Sequence, residues 1–116
     1  VGWAERDQGR MGASPWEARA RYVANSPFFA LDRVRAPVLL LHGAADDIVA
    51  VARAEETFVA LRRLGRPVML VAYAGEGHHP GAWRAANVRD YWARIFTWYA
   101  RWLGAPELSP RVQNAP

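Results

Sequence analysis

The 116-residue chain has no cysteine and no lysine, and its serines are limited to Ser14, Ser26 and Ser109. Without cysteine there is no disulfide framework, no thiolate metal site and no thiol redox chemistry, which leaves the compartment open. No apolar run approaches the roughly 20 residues of a membrane span. No signal peptide is visible, although the chain opens on Val1 rather than methionine. All fifteen basic residues are arginine, and the formal charge is +4. An acidic partner would need those arginines clustered in a stripe, but they are scattered. Only Arg62 and Arg63 are adjacent, on the outer face of an expected helix, so nucleic-acid binding is not indicated. Internal repeats and low-complexity tracts are also missing, and no composition shift marks a domain boundary.

What is present is a chain long enough for one small domain, 52% hydrophobic and able to build a core. It is organised around Pro37 to Val49, P-V-L-L-L-H-G-A-A-D-D-I-V. Val38 to Leu41 is an unbroken apolar run, the pattern of a strand buried on both faces of a parallel sheet. It stops at His42-Gly43, and Asp46-Asp47 follow after two small residues. Open α/β sheets carry their chemistry at that carboxyl edge.

Before this stretch, residues 1–14 read as loop. Ser14 as N-cap and Pro15 at the first helical position start a helix to about Val23. Asn25-Ser26-Pro27 breaks it, and Phe28 to Arg33 reads as a short helical turn. After it, Val51, Ala54, Phe58 and Leu61 share one helical face. Gly65 caps that helix and Pro67 prevents its resumption. Val68 to Tyr73 is a second strand, so Val38 to Tyr73 forms a parallel strand-helix-strand unit with a right-handed crossover. Asn87 with Asp90 resembles a capping box, opening a last helix from Val88 to about Leu103. Its narrow polar stripe is Asp90, Arg94, Thr97 and Arg101, and nearly everything else is large and apolar. Gly104 ends it, and residues 105–116 read as a loose tail. The fold class is α/β: two parallel strands with a crossover helix, a preceding helical segment and a long final helix.

Two loops follow consecutive parallel strands and lie side by side. One carries Asp46 and Asp47, the other Gly75-Glu76-Gly77-His78-His79. A carboxylate within reach of an imidazole can fix its tautomer and stabilise the imidazolium, the orienting half of a nucleophile-His-Asp triad. Acid before histidine is the chain order of α/β hydrolases. The nucleophile is harder to find. Gly12-Ala13-Ser14-Pro15-Trp16 fails the G-x-S-x-G elbow at its fifth position and lacks a preceding strand, so Ser14 reads as an N-cap. Ser26 sits in a turn and Ser109 in the tail. The inference is the carboxyl-terminal part of a longer enzyme.

Several segments then add up in order and spacing: QGRMG at Gln8–Gly12, WE at Trp16-Glu17, YVANSPFFALDRV at Tyr22–Val34, PVLLLHGAADDIV at Pro37–Val49, ALRRLGRPV at Ala60–Val68 and YAGEGHH at Tyr73–His79. Together they resemble the end of the catalytic domain of the prolyl oligopeptidase family of serine peptidases, which includes acylaminoacyl and dipeptidyl peptidases. The resemblance runs from about Gln8 to Ala105. It implies the C-terminal portion of an α/β-hydrolase fold, with Asp46 as triad acid and His78 as triad base. In some members the position of Val49 lines the pocket for the residue before the scissile bond, and the resemblance implies that role here. A peptide substrate follows, with the serine, the oxyanion donors and a β-propeller lying before Val1. Ile48 stands where several members carry Asn or Arg, and Ala50 where proline is common, so a dipeptidyl exopeptidase is not implied.

Plainer readings accompany each residue. Asp47 is a helix-start acid, His42 a hydrogen-bonded structural histidine, and His79 a neighbour pointing elsewhere. Glu76 pairs with loop backbone or an arginine. No metal ligand spacing is present among His42, Asp46, Asp47 and His78, so neither metal nor cofactor is expected. A carboxylesterase or dienelactone-type hydrolase with the same half-triad, and a non-catalytic binding module, are the alternatives. The fragment alone is expected to be inactive, and its open strand edge and apolar last helix lead it to self-associate or to be only marginally stable.

Overall fold

A computed structural model describes Glu5 and residues 9–104. The tail expected over residues 105–116 lies outside the described residues. Two compact units divide the chain, one up to Arg35 and one from Ala36 on.

In the first unit, the Ser14 N–H and Oγ–H both donate to Glu17 Oε2, at 3.0 and 2.6 Å, and the Glu17 N–H returns to Ser14 Oγ at 3.4 Å. That is the reciprocal pairing of a capping box. It closes a single turn, sealed by the Ala18 N–H on the Ser14 carbonyl at 3.0 Å. The helix expected from Pro15 begins only at Arg19: α1 is Arg19–Ala24. Ala18, at φ −126° and ψ 40°, leaves helical geometry between turn and helix. Asn25 ends α1, and Pro27–Arg33 is a 3-10 helix.

In the second unit, β1 is Val38–Gly43 and β2 is Val68–Tyr73. They pair in parallel, with Val38 opposite Val68 and Gly43 opposite Tyr73. Between them α2, Ala52–Arg63, packs on both strands. Its apolar face ends in Leu61, which is 1% exposed and the most deeply buried large side chain described. The helix closes as a Schellman motif. The Arg66 N–H donates to the Leu61 carbonyl and the Gly65 N–H to the Arg62 carbonyl, with Gly65 at φ +68°. The two strands are mostly half-covered rather than buried on both faces, because two strands and two helices supply too little cover.

The last helix, α3, spans Ala85–Leu103 and packs against β1. It starts three residues before the expected Val88. Arg84 stands at its N-cap position, and Asn87 lies inside the first turn instead of capping it. Gly104, left-handed at φ +68°, ends it. The expected polar stripe is half-buried at Asp90 and Arg94, whereas Trp92, Phe96, Tyr99 and Leu103 are 52%, 56%, 55% and 74% exposed. Among the described residues no helix is long and apolar enough to cross a membrane.

Candidate active site

The site is built where β1 and β2 end together. Past Gly43 the chain cannot run straight, because the loop after β2 crosses directly over it. A Cβ on Gly43 would collide with the carbonyl oxygens of Glu76 and Gly77, so only glycine admits this approach. The two loops are laced by backbone. The Ala44 N–H donates to the Tyr73 carbonyl and the Ala45 N–H to the Glu76 carbonyl, each at 2.9 Å. Asp46 is therefore delivered to the β2 loop by main-chain hydrogen bonds before any side chain is considered.

Asp46 uses both oxygens. Oδ1 accepts the N–H groups of Ile48 and Val49 at 2.9 and 2.8 Å. Oδ2 lies 2.8 Å from His78 Nδ1. The Asp46 side chain is only 3% exposed. Burial works against its ionisation, but the Val49 N–H, the His78 ring and the Ile48 N–H outweigh it and hold the carboxyl down at about 2. An ionised carboxylate only accepts, so His78 Nδ1 carries the proton. In the neutral ring that leaves Nε2 as an acceptor, on a side chain 35% exposed. An imidazole oriented by a carboxylate through one nitrogen and open at the other can take a proton from a neighbouring hydroxyl.

The remaining candidates separate clearly. Asp47 is exposed and precedes α2 by five residues, so it lies outside the helix's first turn. The His79 ring packs edge-on to His78, with centroids 4.9 Å apart. His42 Nε2–H donates to the Val49 carbonyl at 2.9 Å and lies 3.3 Å from Asp46 Oδ2. Val49 has its main chain held on both sides while its side chain is 40% exposed. Ser14 Oγ–H donates to Glu17 Oε2 and Oγ accepts the Glu17 N–H, closing a turn that lies ahead of α1 instead of capping that helix, and Ser109 lies outside the described residues. Among the described residues no three of His, Asp and Glu are grouped to hold a metal ion.

One support was only half legible. Glu76, 5% exposed, accepts on Oε1 from Arg84 N–H at 3.2 Å, Arg84 Nε–H at 3.1 Å and Asn87 Nδ2–H at 2.5 Å. Burial pushes its pKa up, but the Asn87 and Arg84 donors prevail and lower it. Arg84 Nη2–H also donates to the Ala74 carbonyl at 2.9 Å, and Trp83 Nε1–H to the Gly77 carbonyl at 2.8 Å. The start of α3 thus grips the histidine loop on both sides of Glu76. The sequence points to loop backbone or an arginine as the partner of Glu76, but nothing in the spacing of Arg84 and Asn87 singles them out. Tyr73, at the end of β2, donates its hydroxyl to Asp90 Oδ2 at 2.9 Å. Burial, then Asp90, pushes that phenol up to about 12.

Comparisons with known proteins fall on the same region. The sequence model of the prolyl oligopeptidase family matches residues 3–106. Dipeptidyl-peptidase 5 of Porphyromonas endodontalis is 30% identical over 99 residues, covering 80% of this chain and 14% of that protein. A puromycin-hydrolyzing peptidase of Mycobacterium tuberculosis superposes with a TM-score of 0.67 at 32% identity, over 81% of this chain and 14% of that one. The esterase Est2 of Thermogutta terrifontis superposes with a TM-score of 0.66 over 92% of this chain and 37% of its own. Its 23% identity shows the shared fold alone. The chain thus spans about a seventh of the length of the two peptidases it matches.

Proposed function

The chain belongs to the prolyl oligopeptidase family and carries the C-terminal portion of an α/β-hydrolase fold, and we propose that it supplies the acid and the base of a serine peptidase triad. The observation that carries this is the 2.8 Å contact from His78 Nδ1 to the buried Asp46 carboxylate, on a histidine side chain that is 35% exposed. In the proposed reaction a serine from a longer polypeptide attacks the scissile carbonyl. His78 Nε2 takes the serine proton and returns it to the leaving amine, so an acyl-enzyme forms and is then hydrolysed. Asp46 holds the ring in the Nδ1–H tautomer and balances the imidazolium. Oxyanion donors would come from the same longer polypeptide. The exposed Val49 side chain, one turn of loop from Asp46, would line the pocket for the residue preceding the cleaved bond. The reaction as proposed uses no cofactor.

The peptide substrate rests on the family and on the peptidases it resembles, and the serine source rests on the fraction of their length that this chain spans. The test uses two polypeptides. In the longer polypeptide bearing this chain, assayed on a panel of fluorogenic peptides and p-nitrophenyl esters, peptides are the better substrates. There Asp46→Asn or His78→Ala lowers kcat by roughly 10³-fold or more with little change in KM. The 116-residue chain alone gives no turnover. Turnover by that chain, lost in His78→Ala, would overturn the proposal, as would full activity of the longer His78→Ala variant.

A further inference from the structure

His42 is the last residue but one of β1, and its side chain is 17% exposed. Its Nε2 faces two acceptors, the Val49 carbonyl at 2.9 Å and Asp46 Oδ2 at 3.3 Å. A carbonyl can only accept, so Nε2 bears the hydrogen. Val49 closes a circuit, because its N–H donates to Asp46 Oδ1 while its carbonyl receives from His42. The two ends of that circuit differ in stiffness. His42 stands opposite Ala72 in the sheet register, whereas Asp46 to Val49 is loop, outside any ladder or helix.

We propose that His42 is a positioning residue. Anchored on the sheet, it ties down the Val49 peptide and so holds the Asp46 carboxylate in the orientation that offers Oδ2 to His78. Two imidazoles then meet one oxygen in opposite tautomers, Nε2–H in His42 and Nδ1–H in His78. The groups around the carboxylate are His42 from β1 and His78 at Oδ2, the Ile48 and Val49 amides of its own loop at Oδ1, and His79, edge-on to His78, from the loop after β2. Among the described residues no hydrogen bond joins His42 to His78, so its effect on that ring passes through Asp46. The functional meaning of this role rests on the triad reading above, but its geometry does not.

Side-chain amides make the test sharp. The terminal nitrogen of glutamine reaches about where Nε2 of histidine does, and that of asparagine about where Nδ1 does. In the unaltered, ¹⁵N-labelled chain, imidazole NMR should find His42 protonated at Nε2 and His78 at Nδ1. His42→Gln should keep the low-field Nδ1–H signal of His78. His42→Asn should speed its exchange by about tenfold, roughly what the loss of one hydrogen bond allows. In the longer active polypeptide the same asparagine variant should lower kcat with KM within about twofold, and glutamine should rescue it.

His42 protonated at Nδ1 in the unaltered chain would overturn the proposal, and that reading needs no variant to fold. So would asparagine serving as well as glutamine, or a His78 signal unmoved by asparagine in a chain whose circular dichroism is native. A longer polypeptide that proves inactive while both tautomers are as stated would remove the triad reading and leave the positioning role standing.

Discussion

At the scale of residues, Asp46 draws its donors from two places in the chain, the Ile48 and Val49 amides of its own loop and His78, thirty-two residues on, while His42 donates to the Val49 carbonyl beside it. Because the folded carboxyl sits at about 2 and an unperturbed one near 3.8, its contribution to stability has a definite direction in pH. It is fully present above about pH 4 and is lost as pH falls through 2. Protection of the Ile48 and Val49 amides, measured relative to intrinsic exchange at each pH, should therefore hold down to pH 4 and fall below it, and protection that rises on acidification would contradict the geometry. Gly43 carries a second prediction. Gly43→Ala places a methyl against backbone oxygens that no rotamer change can move, so it should cost about 1–3 kcal/mol, read as a lower denaturant midpoint. The low-field His78 proton should weaken with it, since the Asp46 and His78 loops separate at that point.

At the scale of elements, α2 is the piece that keeps the two strand ends in register, and Leu61 is where it is seated. Leu61→Ala should cost about 2–5 kcal/mol in urea unfolding. A cost under about 1 kcal/mol would mean that the strands hold the site without the helix. The α3 N-terminus illustrates how tertiary contact displaces a local signal. Asn87 and Asp90 carry the spacing of a capping box, yet Asn87 donates to Glu76 and Asp90 accepts from Tyr73 and Arg94. Both side chains find stronger partners across the fold than the helix end offers. The Gly65 cap kept its expected role because a Schellman motif is satisfied entirely by neighbours within six residues.

At the scale of the whole molecule, the apolar cover is thin. The buried apolar side chains among the described residues are Leu61, Tyr73 and Trp83, and of these Leu61 alone is fully buried. Trp92, Phe96, Tyr99 and Leu103 line up on α3 at spacings of four, three and four, each more than half exposed. Beside them an open groove of about 440 Å³ runs between β1 and α3, lined in part by Leu39, Leu41, Ile95 and Trp98. Among the described residues β1 pairs only with β2, which leaves its other edge unsatisfied. Contiguous apolar surface beside an open strand edge favours association. Sedimentation of the chain should thus be concentration-dependent, and Phe96→Glu should shift it toward monomer. A single monomeric species across micromolar to millimolar concentration would count against this.

The sequence by itself determined what short range and composition can decide. It set where β1 and β2 run, that α2 joins them, that Gly65 and Gly104 stop their helices, and that an acid loop and a histidine loop follow successive strands. These are consequences of apolar runs, glycine and proline, which act within a few residues. It also narrowed the site to Asp46 or Asp47 and His78 or His79. The resemblance pointed to Asp46 and His78 within those pairs, and the tertiary structure shows that these two side chains meet. The Asp46 N–H donates back to the Gly43 carbonyl at 3.2 Å, and Asp46 rather than Asp47 is the side chain turned onto His78. Only the tertiary structure decided for His42 and Glu76, which pattern can mark as polar residues but not assign to partners. Their hydrogen bonds join positions distant in the chain, and such contacts exist only once the strands are paired and both loops share one edge.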